Sequence, residues 1–161
     1  MAIAYIALGA NLGEPAQQVR AAMEALAQTP GIRMLARSPL YRTAPLGPAG
    51  QPQYCNAVCQ VETDLMPEEL LEQMLAVERA AGRVRSGHRW GPRLLDLDLL
   101  YMAGEQRQTA KLQLPHPGIG QRNFVLVPLA DIAPALDIPG VGIVAEQAKK
   151  IGRDGLELWP A

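Results

Sequence analysis

Two aspartates stand two positions apart in the apolar run LLDLDLL, and no other residues of this chain are better placed to do chemistry. A run this dense in leucine reads as a strand. Strand side chains alternate between faces, so Asp96 and Asp98 point the same way. Their Cβ atoms are expected roughly 6–7 Å apart, from a rise of about 3.3 Å per residue. Two ionised carboxylates that close on an apolar strand are costly unless a cation neutralises them. The spacing therefore points to a shared cation site, read as one for two Mg²⁺ ions.

The residues before the strand suit the same chemistry. Arg79, Arg83, Arg85, His88, Arg89 and Arg93 follow one another with no acid before Asp96, and Gly82, Gly87 and Gly91 punctuate them. Oxygen-ligated metals neutralise phosphate from one side, while guanidinium forks grip it bidentately from the other. Together they are equipment for phosphoryl transfer. The alternative is a solvated arginine face beside acids at a sheet edge.

The stretch Arg89-Trp90-Gly91-Pro92-Arg93-Leu94-Leu95-Asp96-Leu97-Asp98-Leu99-Leu100 also resembles the signature of the 6-hydroxymethyl-7,8-dihydropterin pyrophosphokinases of folate biosynthesis. AYIALGANLG near the start, YRTAPLGP from Tyr41, GRVR from Gly82, LPHP from Leu114 and QRNF from Gln121 follow the same family's order. The resemblance implies transfer of pyrophosphate from ATP to the hydroxymethyl group of a reduced pterin, with AMP released. It assigns Asp96 and Asp98 to two Mg²⁺ ions, and Arg83 and Arg93, with the two aspartates, to the chemical step. Glu78, Arg85, Trp90, Arg93, Leu99, Lys111, His116 and Arg122 become the ATP contacts. Thr43, Ala44, Leu46, Tyr54, Asn56 and Phe124 become the pterin contacts.

Several of these residues carry a reading of their own. Asn56 lies two positions from Tyr54, so a strand turns both to one face, and its amide offers a donor and an acceptor to a pterin edge. Phe124 is the only phenylalanine of the chain and a candidate wall beside Tyr54. His116 is held between Pro115 and Pro117, which stiffens its backbone. Glu78 reads equally as an ATP-site residue or a solvated helix acid. Gly82–Gly91 reads as a lid closing over the nucleotide, with Trp90 as its gate. Ala44 stands where proline is frequent in relatives, and Leu75, Lys111 and Pro117 depart from them on the nucleotide side. At Lys111 a point charge replaces a planar fork.

Composition bounds the rest. A chain of 161 residues with net charge −1 is long enough for one domain and its core, and disfavours a general nucleic-acid binder. Cys55 and Cys59 would share a strand face about 13 Å apart, too far for a disulfide, so free thiols in a reducing cytoplasm are expected. No apolar run has the length of a membrane span. A monomeric, stand-alone cytoplasmic enzyme without nucleic-acid or membrane partners is expected. A two-metal phosphodiesterase or nuclease would also need paired aspartates and arginines, but usually recruits more acids and histidines than the two histidines here. A non-enzymatic ferredoxin-like nucleic-acid module would expect a broadly basic surface.

The elements that must position these residues follow from periodicity. Ala2–Leu8 reads as a buried strand stopped by Gly9, and Pro15 opens a helix with Val19, Ala22, Met23 and Leu26 on one side. Ile32–Arg42 and Tyr54–Glu62 read as strands separated by the proline- and glycine-rich loop Ala44–Gln53. Pro67 opens a second helix with Leu70, Leu71, Met74 and Val77 inward, stopped by Gly82. Leu94–Met102 is the aspartate strand, and a turn follows at Ala103-Gly104-Glu105. The order predicts one α+β domain over 1–161. Its core is a ferredoxin-like βαββαβ antiparallel sheet with both helices on one face. Beyond it come a short strand near Leu112 and helices near Phe124–Ile132 and Val144–Lys150.

Overall fold

The computed structural model describes residues 1–43, 54–82 and 95–160. Its core runs β1 (Ala2–Ala10), α1 (Pro15–Ala27), β2 (Ile32–Arg37), β3 (Tyr41–Thr43), β4 (Tyr54–Thr63), α2 (Pro67–Ala80) and β5 (Asp96–Met102). The hairpin β6 (Arg107–Gln108) and β7 (Gln113–Leu114) follows, then α3 (Asn123–Ile132) and the hairpin β8 (Asp137–Ile138) and β9 (Gly142–Ile143). α4 (Val144–Ile151) and β10 (Leu156–Leu158) complete the order.

The main sheet is antiparallel, in the order β10-β3-β4-β1-β5, with β2 also paired to β4. This is the ferredoxin-like arrangement. α1 and α2 cover one face as expected: Val19, Met23 and Leu26 of α1, with Leu70 and Met74 of α2, form one core with Ile6, Leu8, Ala57, Leu97 and Leu99. The opposite face is covered by the last third of the chain, where Val125, Leu126, Leu129 and Val144 pack on Tyr5, Val58 and Leu100. The sheet is thus covered over most of both faces, which explains the nearly continuous apolar character of β1 and β4.

Two sequence expectations need correction. Ile32–Arg42 is not one strand but β2 and β3, divided at Ser38-Pro39-Leu40. Pro39 has no N–H to give to a ladder, and Ser38 holds the junction: its N–H donates to the Val58 carbonyl and its Oγ accepts the Val58 N–H, both at 2.9 Å. Gly9 does not stop β1 either. The strand continues through it to Ala10, paired with β4 and β5 on its two sides.

β5 carries an irregularity that matters for the site. Tyr5 pairs with Tyr101 but Ile6 with Leu99, so Leu100 is an extra residue in the ladder. Its side chain joins the core under α3, and its carbonyl accepts the His116 N–H at 2.8 Å, tying the segment after β7 to the aspartate strand. Among the described residues, no helix is long and apolar enough to cross a membrane.

Candidate active site

β5 alternates as its sequence demands. Leu97 and Leu99 are buried toward α1 and α2, while Asp96 and Asp98 are half-exposed on the other face. Pairing then decides what surrounds them. Asp96 lies opposite Gly9 and Asp98 opposite Ala7 on β1. Across β1, Gly9 faces Asn56 and Ala7 faces Val58 on β4, and Asn56 faces Tyr41 on β3. Leu8 and Ala10 point into the α1–α2 core, as do Cys55 and Ala57, so Gly9 and Asn56 share the face of the aspartates. Asp96, Gly9 and Asn56 therefore form one row across three strands.

The rim of this row is built by β3, β4 and α3. Asn56 is buried, and its Nδ2 donates to Thr43 Oγ1 at 3.0 Å. That bond sets the amide's orientation. Tyr54 pairs with Thr43 and is half-buried. Phe124, in the first turn of α3, packs against both clusters on this side of the sheet, with the Arg122 guanidinium 5.9 Å from its ring centre.

His116 faces the acid pair from the segment that Leu100 anchors. Its Nδ1 accepts the Gly118 N–H at 3.0 Å, so the neutral ring carries its proton on Nε2, which lies 3.9 Å from Asp98 Oδ1. Burial pushes its pKa below the usual imidazole value; Asp98 pulls it up, Arg122 adds to the lowering, and Asp96 raises it slightly. A Cβ at Gly118 would come within 2.9 Å of Arg122 Nε, so the bare backbone there leaves room for the guanidinium.

The remaining nucleotide-side candidates divide. Lys111 Nζ pairs with Glu72 Oε1 at 3.0 Å on the surface, and Arg107 is engaged by Glu68 and Glu105. Leu99 is buried in the α1–α2 core, on the face away from the aspartates, so its side chain is closed to a ligand there. Glu78 is not the solvated acid that its helix position allowed: it is 2 % exposed, and its Oε2 accepts the Leu97 N–H at 3.4 Å. A cavity of about 560 Å³ opens beside the hairpin β6–β7, lined among others by Thr109, Gln113, Pro115 and the departing residue Pro117. Ala44, Leu46, Arg83, Arg85, Trp90 and Arg93, with the lid reading of Gly82–Gly91 beyond Gly82, lie outside the described residues.

Among the described residues no cluster of three or more acids, histidines or cysteines forms a closed metal cage. The pair Asp96 and Asp98 fits Mg²⁺, which typically takes one or two carboxylates and fills its shell with water and substrate phosphate. Ala7 and Gly9 also line this face, although Gly9 was expected only to stop the strand and Ala7 had no expected role. Their small size inside an apolar strand was the available signal, since glycine within a strand marks close approach or open space.

A model of the family described as 7,8-dihydro-6-hydroxymethylpterin-pyrophosphokinase (HPPK) matches residues 5–134. The chain is 47% identical over 157 residues to the 2-amino-4-hydroxy-6-hydroxymethyldihydropteridine pyrophosphokinase of Methylorubrum extorquens, covering 98% of both chains. It is 44% identical over 156 residues to the enzyme of the same name from Pseudomonas aeruginosa, covering 97% of this chain and 96% of that one. Among solved structures, an HPPK-DHPS in complex with substrates superposes with a TM-score of 0.77 at 11% identity, over 98% of this chain and 48% of that one. The wild-type Plasmodium falciparum HPPK-DHPS with pterin and p-hydroxybenzoate gives 0.74 at 14%, over 98% and 46%. This chain spans less than half the length of those two proteins, and at such identities the likeness concerns the fold.

Proposed function

The chain belongs to the 7,8-dihydro-6-hydroxymethylpterin-pyrophosphokinase family, and from that premise we propose how its residues divide the work. The reaction moves the terminal pyrophosphoryl group of ATP onto the hydroxymethyl oxygen of 6-hydroxymethyl-7,8-dihydropterin, leaving AMP and the pterin diphosphate, in folate biosynthesis. One oxygen–phosphorus bond forms at the β-phosphorus, and the bond from that phosphorus to the oxygen retained by AMP breaks.

The observation that carries the assignment is the row Asp96–Gly9–Asn56, with Asp98 beside it. Asn56 presents its amide to the hydrogen-bonding edge of the pterin, oriented by Thr43. Tyr54 and Phe124 flank the ring. Asp96 and Asp98, at the far end of the row, hold two Mg²⁺ ions. When bound, these ions neutralise phosphate charge and make the substrate hydroxyl a better nucleophile. His116 offers its Nε2 proton, and Arg122 its guanidinium, to phosphate oxygens near Asp98. Leu99 through its main chain and Lys111 serve the nucleotide at longer reach, and Glu78 serves it by holding the β5 backbone at Leu97. Arg83, Arg85, Trp90 and Arg93 complete the phosphate side, and Ala44 and Leu46 the pterin side. Free, buried Cys55 and Cys59 fit a reducing compartment, so we place the enzyme in the cytoplasm. A net charge of −1 fits a partner list without nucleic acid, and we read the enzyme as a monomer that does not engage a membrane.

The test is a direct assay with ATP, Mg²⁺ and the reduced hydroxymethylpterin. AMP and pterin diphosphate should appear in equal amounts, only with all three present. Asp96→Asn and Asp98→Asn should each lower kcat by about 10²-fold or more while the thermal midpoint stays near wild type. AMP release without pterin, or wild-type turnover in either variant at saturating Mg²⁺, overturns the assignment.

A further inference from the structure

We propose that Gly9 is a specificity-determining residue, whose bare Cα forms the floor on which a flat fused bicyclic substrate lies between Asn56 and Asp96. This deepens the site reading above and rests on it.

A glycine in this place needs a reason. Gly9 lies within β1, paired on both sides, and is absent from the glycines with positive φ, so no turn or left-handed conformation requires it. Glycine inside a strand is less favourable than alanine, because it loses more backbone freedom on folding. Core packing does not require it either. Leu8 and Ala10 fill the α1–α2 side, whereas a Cβ on Gly9 would project onto the opposite face. There, among the described residues, it would meet Asn56 Oδ1 at 3.2 Å and the Cys55 carbonyl at 3.8 Å, with nothing else within 4 Å. The space kept clear is the space between the amide and the acid.

The dimensions match the substrate class. Asn56 and Asp96 lie on strands to either side of β1, so their backbones are two strand spacings apart, about 10 Å. A fused bicyclic ring with its amide edge on Asn56 carries a one-carbon arm toward Asp96 over that span. A methyl at Gly9 would lift such a ring off the sheet and press on the Asn56 amide. Ala7, the other small residue of this face, continues the same low floor beside Asp98.

Gly9→Ala should raise the pterin KM about tenfold or more, with a smaller change in kcat, because one methyl in a fitted pocket discriminates on that scale. Affinity for a non-hydrolysable ATP analogue with Mg²⁺ should stay within twofold of wild type, and thermal stability should not fall. A folded Gly9→Ala protein with pterin KM within twofold of wild type overturns the proposal. Should that variant fail to fold, Gly9→Ala/Asn56→Ser removes the amide that the methyl meets. Its pterin KM should still exceed that of Asn56→Ser by severalfold, and equality overturns the proposal. Asn56→Ser and Asp96→Asn report separately on the underlying site: if both keep wild-type kinetics, the site reading fails, not the role of Gly9 alone.

Discussion

Glu78 shows how a single side chain reaches the site without facing it. It follows Leu70 and Met74 along the inner side of α2, and its carboxylate accepts the Leu97 N–H between the two aspartates. Leu97 pairs with Leu8 of β1, and β5 ends the main sheet among the described residues, so this acceptor covers a strand edge. Glu78→Ala should leave that buried donor unsatisfied and cost about 1–3 kcal/mol in urea unfolding, with Glu78→Gln costing less. Turnover should fall with it, because the backbone that aims Asp96 and Asp98 loosens. An alanine variant as stable as wild type would show that Glu78 is not part of the support.

At the scale of elements, the proposed pterin side depends on how α3 is fastened to β3. Phe124 sits in the first turn of α3 and Asp131 in its last, and the buried Tyr41 phenol donates to the Asp131 carboxylate. Tyr41 packs with Val127 and Phe124, and lies directly opposite Asn56. Tyr41→Phe should cost about 1.5–3 kcal/mol, the range for a hydrogen bond to a charged group, and raise the pterin KM more than the ATP KM. Burial, with Asp131 adding to it, raises the Tyr41 pKa above the ordinary phenol value. The native state thus holds that proton more tightly than the unfolded chain. Its contribution is complete below about pH 10 and is lost as pH climbs through the raised value. The stability gap between wild type and Tyr41→Phe should therefore stay constant up to about pH 10 and narrow as the pH rises above it. A gap that widens would rule the phenol–carboxylate bond out as its source.

At the scale of the molecule, the sheet is a wall between two cores, and the site occupies the part of one face that the second layer leaves open. α3 covers Tyr5, Val58 and Leu100 but leaves Ala7, Gly9, Asp96 and Asp98 half-exposed. The other face is closed. Cys55 and Cys59 are buried there, and burial pushes both thiols up to about 12. Since the thiolate is the reactive form, alkylation at neutral pH should proceed only through unfolding, at a rate that rises with urea as the whole protein opens. Substrate and Mg²⁺ should slow it by stabilising the folded state. Fast modification of the native protein would mean that this core opens locally.

How much of this was legible beforehand depends on whether a feature is local. That Asp96 and Asp98 share a face follows from the two-residue period of any strand, whatever the strand pairs with. The inward faces of α1 and α2 follow from helical period in the same way, and the RWGPRLLDLDLL run with its companion motifs carries the family. Register is different, because it is set by contacts between segments far apart in the chain. The sequence alone could not say that Gly9 lies inside β1, that Asn56 stands across it from Asp96, or that the chain breaks at Ser38 to give β4 two partners on one edge. Nor could it choose between a solvated and a buried Glu78, since the position suits either until β5 packs against α2. That the two acids share a face was written in their spacing, whereas the shape of the slot beside them exists only once three strands align.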